Sequence, residues 1–104
     1  MDEQEQVVIN LIVNSGSARS SAIEAIQYAK AGDLDKAAES LQQAKETVNE
    51  AHHAQTELIQ AEIRGEKAPL NLLMVHAQDH YMTSQLARDL IEEMINVFEA
   101  KEGK

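Results

Sequence analysis

The chain has no cysteine or tryptophan, a single proline, four glycines and only Tyr28, Tyr81 and Phe98 as aromatics in 104 residues. The absence of cysteine excludes a disulfide frame, a thiol nucleophile and a zinc-finger ligand set, and is compatible with a reducing cytosol. Basic residues are scarce, 9 against 18 acidic, and the net charge of −9 argues against nucleic-acid binding, which needs a basic footprint. No apolar run approaches the ~18 residues a membrane span requires. The first residues, Met1-Asp2-Glu3-Gln4-Glu5, are acidic with no apolar stretch behind them, so no secretory leader is expected and the cytoplasm is the expected location. With so few aromatics the core must be aliphatic and alanine-rich. Small side chains bury little area each, so close packing over long helices is expected, and burial in an oligomer would help so short a chain.

What is present is helical periodicity. Residues 1–104 read as one all-α domain of three helices, at about 4–30, 34–64 and 69–101, with no alternating strand pattern and no linker. Apolar positions Val7, Val8, Leu11, Ile12, Ala18, Ala22, Ile26 and Ala29 mark the first helix. Leu34, Ala37, Leu41, Ala44, Val48, Ala51, Gln55, Leu58 and Ile59 mark the second. Gly32 suits a helix C-terminus and Asp33 an N-cap, while Pro69 suits the first turn of the third helix, where its missing N–H costs nothing. Connections this short make neighbouring helices antiparallel, giving an up-down-up bundle, and near-heptad spacing predicts gentle left-handed supercoiling. The third helix carries two apolar lanes. One is Leu72, Val75, Met82, Leu86 and Leu90; the other is Leu70, Leu73, Met74, Ala77, Tyr81, Ile91, Ile95 and Phe98. An oligomer that uses one lane while the other serves the chain's own core is the expectation; a wide single face in a monomer is the alternative.

Two stretches break their own pattern. Asn14-Ser15-Gly16-Ser17 places weak helix formers inside the first helix, which suits either close helix packing or room for another group, and Arg19 one turn on can pair with a carboxylate or a phosphoryl group. In the third helix, His76-Ala77-Gln78-Asp79-His80 puts His76, Asp79 and His80 on one side, and Asp79 falls inside the first apolar lane. A carboxylate in a helix seam is costly unless paired or bound to a cation. His76 and His80 at i and i+4 invite a zinc site, but Ala77 stands where the zinc-protease motif needs glutamate. Glu50-Ala51-His52-His53 gives one Glu-x-x-His step where a di-iron bundle needs two, and no nucleophile elbow is present. Of the adjacent His52 and His53, at most one should face the core, and His52 reads as a supporting or packing residue. Two roles remain for His76: an imidazole that carries a group covalently, or a structural histidine.

The run Val75-His76-Ala77-Gln78-Asp79-His80-Tyr81-Met82-Thr83-Ser84 resembles the active-site helix of the lactose/cellobiose-type IIA components of the bacterial phosphoenolpyruvate-dependent sugar phosphotransferase system. Asn14-Ser15-Gly16-Ser17-Ala18-Arg19, Asn49-Glu50-Ala51-His52 and Gln55-Thr56 agree in order and spacing, so the similarity spans nearly the whole chain. The form His-Ala-Gln-Asp-His is closer to the cellobiose/chitobiose branch than to the lactose branch.

The resemblance implies a cytoplasmic phosphocarrier. His76 would accept a phosphoryl group from the carrier protein HPr and pass it to a cysteine of the cognate IIB component during uptake of a β-linked disaccharide. The membrane would be met only through the IIC permease. His80 and Gln78 would be supporting residues. The family fold implies three-helix chains assembled into a nine-helix homotrimer, with Asp79 from each copy meeting on the axis around a divalent cation, Mg²⁺ by expectation. Physical chemistry agrees at this point: three such carboxylates would repel one another, yet they offer hard oxygen ligands to a magnesium-like ion. The alternative is a non-enzymatic helical oligomerisation or interaction module with a structural metal.

Overall fold

The computed structural model describes residues 2–66 and 70–102. They form three helices, α1 (Glu3–Lys30), α2 (Leu34–Ile63) and α3 (Leu72–Glu102), in an elongated up-down-up bundle of 55 × 22 × 19 Å. Each N-terminus is capped by a short acceptor side chain. Asp2 Oδ1 accepts the Glu5 N–H at 2.8 Å, Asp33 Oδ1 that of Lys36 at 3.1 Å, and Asn71 Oδ1 that of Met74 at 2.9 Å. The helix ends of α1 and α2 share one construction. Gly32 and Gly65 have φ of +86° and +85°, and the N–H of the residue after each donates to a carbonyl five residues back in the helix terminus, Asp33 to Tyr28 and Glu66 to Ala61. Asp33 therefore closes α1 with its N–H and opens α2 with its carboxylate. The third helix begins later than its periodicity suggests, because Asn71 supplies a cap that the sequence reading passed over. Pro69, expected in its first turn, lies outside the described residues.

The core forms two apolar clusters along the bundle. The lower one joins Val8, Leu11 and Ala18 to Val48, Ala51, Ala54, Leu58, Met74, Ala77 and Tyr81; the upper one joins Ala22, Ala25 and Ala29 to Ala37, Leu41, Ala44, Ile91 and Ile95. Fully buried alanines let the helices approach closely, and at the junction Ser84 Oγ donates to the Ser15 carbonyl at 2.7 Å. Ser15 is the member of the weak-helix segment that serves packing. Gly16 is not: a Cβ there would meet nothing within 4 Å. Leu11 is fully buried in the lower cluster, so truncating it leaves a cavity. Leu11→Ala is expected to lower stability by about 2–5 kcal/mol, read as a drop in denaturation midpoint at fixed protein concentration with an unchanged denaturant slope.

The two lanes of α3 separate. Met74, Ala77, Tyr81, Ile91 and Ile95 turn inward, Phe98 is half-buried, and Leu70 and Leu73 at the helix start remain exposed. The other lane, Leu72, Val75, Met82, Leu86 and Leu90, faces outward and is continued by Met94 and Val97, each residue 45–84% exposed. Asp79 sits in this outward lane, not in a seam within the chain. A long apolar stripe left uncovered on a chain of this size marks a contact surface.

Candidate functional site

Helical spacing and one capped helix position the histidines. His76 lies one turn inside α3 on its exposed side, and His80 follows one turn later, half-buried. Their rings meet edge to face with centroids 4.3 Å apart. His80 Nδ1 is buried and has no partner among the described residues. Burial first, then the neighbouring His76, then the Arg19 guanidinium hold the His80 pKa below 6.5, with Asp79 pulling the other way. A histidine of this kind is neutral at pH 7, and so is available to accept or donate one proton at a defined nitrogen.

The sign of the pH effect follows. The folded chain disfavours the protonated ring, so His80 contributes stability above pH 6.5 that is lost as pH falls through its lowered folded value. A proton NMR titration is expected to place His80 below 6.5. Arg19→Ala should move it upward by removing a like charge, and Asp79→Asn should move it further down.

Arg19 is also distinctive for its surroundings. Arg64 and Arg88 have carboxylate partners at 2.8 Å, whereas no such partner lies within 4 Å of Arg19 among the described residues. The arginine picked out beside the weak-helix segment thus lends unshared positive charge to the histidine side of the bundle.

Gln78 lies elsewhere. It lies two positions beyond His76, which turns it about 200° around the helix, onto the flank that faces α2. There Gln55 Nε2 donates to Gln78 Oε1 at 3.0 Å, while Gln78 Nε2 faces the Met74 sulfur at 3.7 Å. Within one chain, His76 and His80 are brought together and Gln78 is not. Next along the same flank, Tyr81 Oη and His52 Nδ1 are 3.0 Å apart. Burial pushes the Tyr81 phenol above its ordinary pKa, so it keeps its hydroxyl proton, and the bond couples the His52 tautomer to the orientation of that hydroxyl. His52 and His53 are both exposed, and His52 is tied down only through this bond. Tyr81 was legible only as an apolar-lane residue. A buried tyrosine needs a partner for its hydroxyl, and that need was the available signal.

No group of three or more His, Cys, Asp or Glu side chains converges on a possible metal position among the described residues. Asp79 stands alone in its lane, its carbonyl accepting from Thr83 Oγ1 at 2.7 Å. One carboxylate cannot build a cation site by itself; carboxylates from several copies can. Among the described residues no helix is long and apolar enough to cross a membrane.

Comparison with known proteins places this geometry in a family. The model of the PTS system, Lactose/Cellobiose specific IIA subunit, matches residues 6–99. The lichenan-specific phosphotransferase enzyme IIA component of Bacillus subtilis (strain 168) is 49% identical over 98 residues, covering 94% of this chain and 89% of that protein. The crystal structure of the PTS cellobiose specific enzyme IIA from Bacillus anthracis superposes with a TM-score of 0.93 at 49% identity, covering 100% of this chain and 95% of the other. The IIA(Chitobiose) chain solved in complex with HPr, from the Escherichia coli phosphotransferase system, gives a TM-score of 0.81 at 45% identity, covering 98% of this chain and 99% of the other. An exposed histidine on an amphipathic third helix, a half-buried partner ring beside it and a match along nearly the whole chain lead to one conclusion: the chain belongs to the lactose/cellobiose-specific IIA family of the phosphotransferase system.

Proposed function

We propose that this chain is a cytoplasmic phosphocarrier in which His76 takes a phosphoryl group from phospho-HPr and hands it to a cysteine of the cognate IIB component. The observation that carries the reading is the pairing of an exposed His76 with a half-buried His80 held below its ordinary pKa. A neutral imidazole has a lone pair in the ring plane with which to attack phosphorus. One N–P bond forms at His76 as the bond from phosphorus to the donor breaks, and the departing atom keeps that bonding pair. In the second step the IIB thiolate attacks, an S–P bond forms, and the His76 nitrogen recovers its lone pair. Phosphorus keeps its three non-bridging oxygens throughout. Little covalent help is needed from neighbours, so positioning and charge stabilisation dominate. His80 orients or contacts the group, and Arg19 lies on the side where the phosphoryl charge develops.

The apolar lane around Asp79 supports assembly through α3 as a homotrimer. A divalent cation, Mg²⁺ by ligand hardness, would be held by Asp79 of each copy, and when bound it supplies the positive charge that offsets repulsion among the carboxylates. Assembly along this lane brings the Gln78 flank of one α3 toward the His76 flank of the next, so Gln78 serves a neighbouring copy's histidine. The three relatives named above carry lichenan, cellobiose and chitobiose in their names, which favours a disaccharide of the cellobiose/chitobiose kind over lactose as the transported sugar.

Incubation with phosphoenolpyruvate, enzyme I and HPr tests the function. The intact mass should rise by one acid-labile phosphoryl group, and addition of the cognate IIB should remove it. An unchanged mass with active HPr sinks the proposal in favour of an interaction module.

A further inference from the structure

The amide pair between α2 and α3 has a chemical direction that the transfer reading does not use. Gln55 and Gln78 are both half-buried, and their side chains bridge the two helices of the bundle that pack against each other least. Two partners fix the orientation of the Gln78 amide. Met74 sulfur is an acceptor with nothing to donate, so the end of Gln78 that faces it is the NH₂ group. That leaves Oε1 toward α2, where Gln55 Nε2 donates to it at 3.0 Å. The carbonyl end of Gln78 is therefore occupied. Among the described residues its NH₂ end makes only a long contact to a soft sulfur, and one amide hydrogen stays uncommitted. A phosphoryl group presents oxygens that accept and never donate, so a side chain that is to meet it must offer hydrogens and hide its own carbonyl.

We propose that Gln55 is a positioning residue for phosphoryl transfer: by donating to Gln78 Oε1 it locks Gln78 as a hydrogen-bond donor toward the phosphoryl group. This rests on the reading of Gln78 as a supporting residue that serves the His76 of a neighbouring copy. Gln55 touches neither histidine nor phosphate, and acts only through the Gln78 amide. Without its hydrogen the Gln78 amide is free to turn, and a carbonyl oxygen facing the phosphoryl oxygens would repel them.

Four variants separate this role from packing and from simple charge. Gln55→Met keeps the volume and removes the donor, and should lower the rate constant for transfer from phospho-HPr by about tenfold, the scale of one lost charge-assisted hydrogen bond. Gln55→Glu, which can only accept, should lower it further. Gln55→Lys, which can only donate, should recover most of the loss. The KM for phospho-HPr and the unfolding midpoint should stay close to those of the parent for all three. On a Gln78→Ala background, Gln55→Met should have no further effect, because the residue through which it acts is gone. The proposal is overturned if Gln55→Met transfers at the parent rate, which would leave only a charge effect in the Glu and Lys variants. It is equally overturned if Gln55→Met still slows transfer on the Gln78→Ala background. A parent rate in Gln78→Ala removes the foundation as well, whereas loss of transfer in His76→Ala with parent rates in every Gln55 variant overturns this inference and leaves the phosphocarrier reading intact.

Discussion

His76→Ala is expected to abolish phosphoryl acceptance. The protein should remain unmodified by phosphoenolpyruvate, enzyme I and HPr under conditions that load the parent chain completely. The reason is that no other group in the chain has the same combination of access and chemistry. There is no cysteine to substitute, and His80, though adjacent at 4.3 Å between ring centroids, has its Nδ1 buried and its ring half-covered. His52 and His53 are exposed but stand on α2, where His52 is engaged by Tyr81. Removing the nucleophile is therefore expected to be total, beyond the 10²–10⁴-fold that loss of an acid–base helper produces. The fold should survive, because His76 is exposed and among the described residues no hydrogen bond of its ring joins the helices. Intact-mass measurement and far-ultraviolet circular dichroism on the same sample check both halves. Transfer of one phosphoryl group to the alanine variant would place the carrier residue elsewhere.

Asp79→Leu is expected to give an assembly that is more stable and indifferent to metal. In the parent, a carboxylate interrupts a lane that otherwise runs Leu72, Val75, Met82, Leu86 and Leu90, all exposed on the single chain. Once copies bury that lane, each carboxylate loses water and faces its equivalents, a cost of several kcal/mol per charge unless a cation joins them. Leucine continues the lane and removes both desolvation and repulsion. Replacing buried charges by apolar groups of similar size commonly stabilises by about 1–4 kcal/mol. Analytical ultracentrifugation with and without a chelator reads the outcome. The parent should lose mass as metal is withdrawn, and the leucine variant should hold one sedimenting species throughout. Dissociation of the leucine variant to monomers would mean that Asp79 itself makes the contact. Phosphoryl transfer should persist in this variant, since Asp79 is not placed among the transferring groups.

Much of the architecture was written in local chemistry. Asp33 and Gly32 terminate one helix and start the next by capping rules that need no tertiary information, and both perform as their residue types demand. The two lanes of α3 were equally visible, because the 3.6-residue period sorts side chains by angle before any packing occurs. The start of α3 was less clear: Pro69 suggested the first turn, and only the closed hydrogen bond from the Met74 N–H identifies Asn71 as the cap. The weak-helix segment split in a way that composition does not reveal. Ser15 is buried and its carbonyl accepts the Ser84 hydroxyl of α3, while Gly16 faces open space.

The sequence alone determined that His76, Asp79 and His80 share one side of a helix, that Asp79 interrupts an apolar lane, and that the chain resembles a phosphocarrier family. These are properties of spacing, and spacing survives folding. The tertiary structure decided which lane is buried, which partners meet the Gln78 amide, and that Gln55, Tyr81 and His52 tie α2 to that flank of α3. Those facts depend on contacts between residues 23 to 29 positions apart. No local rule reaches across that distance, because the partner of a polar side chain is set by how the helices pack against one another.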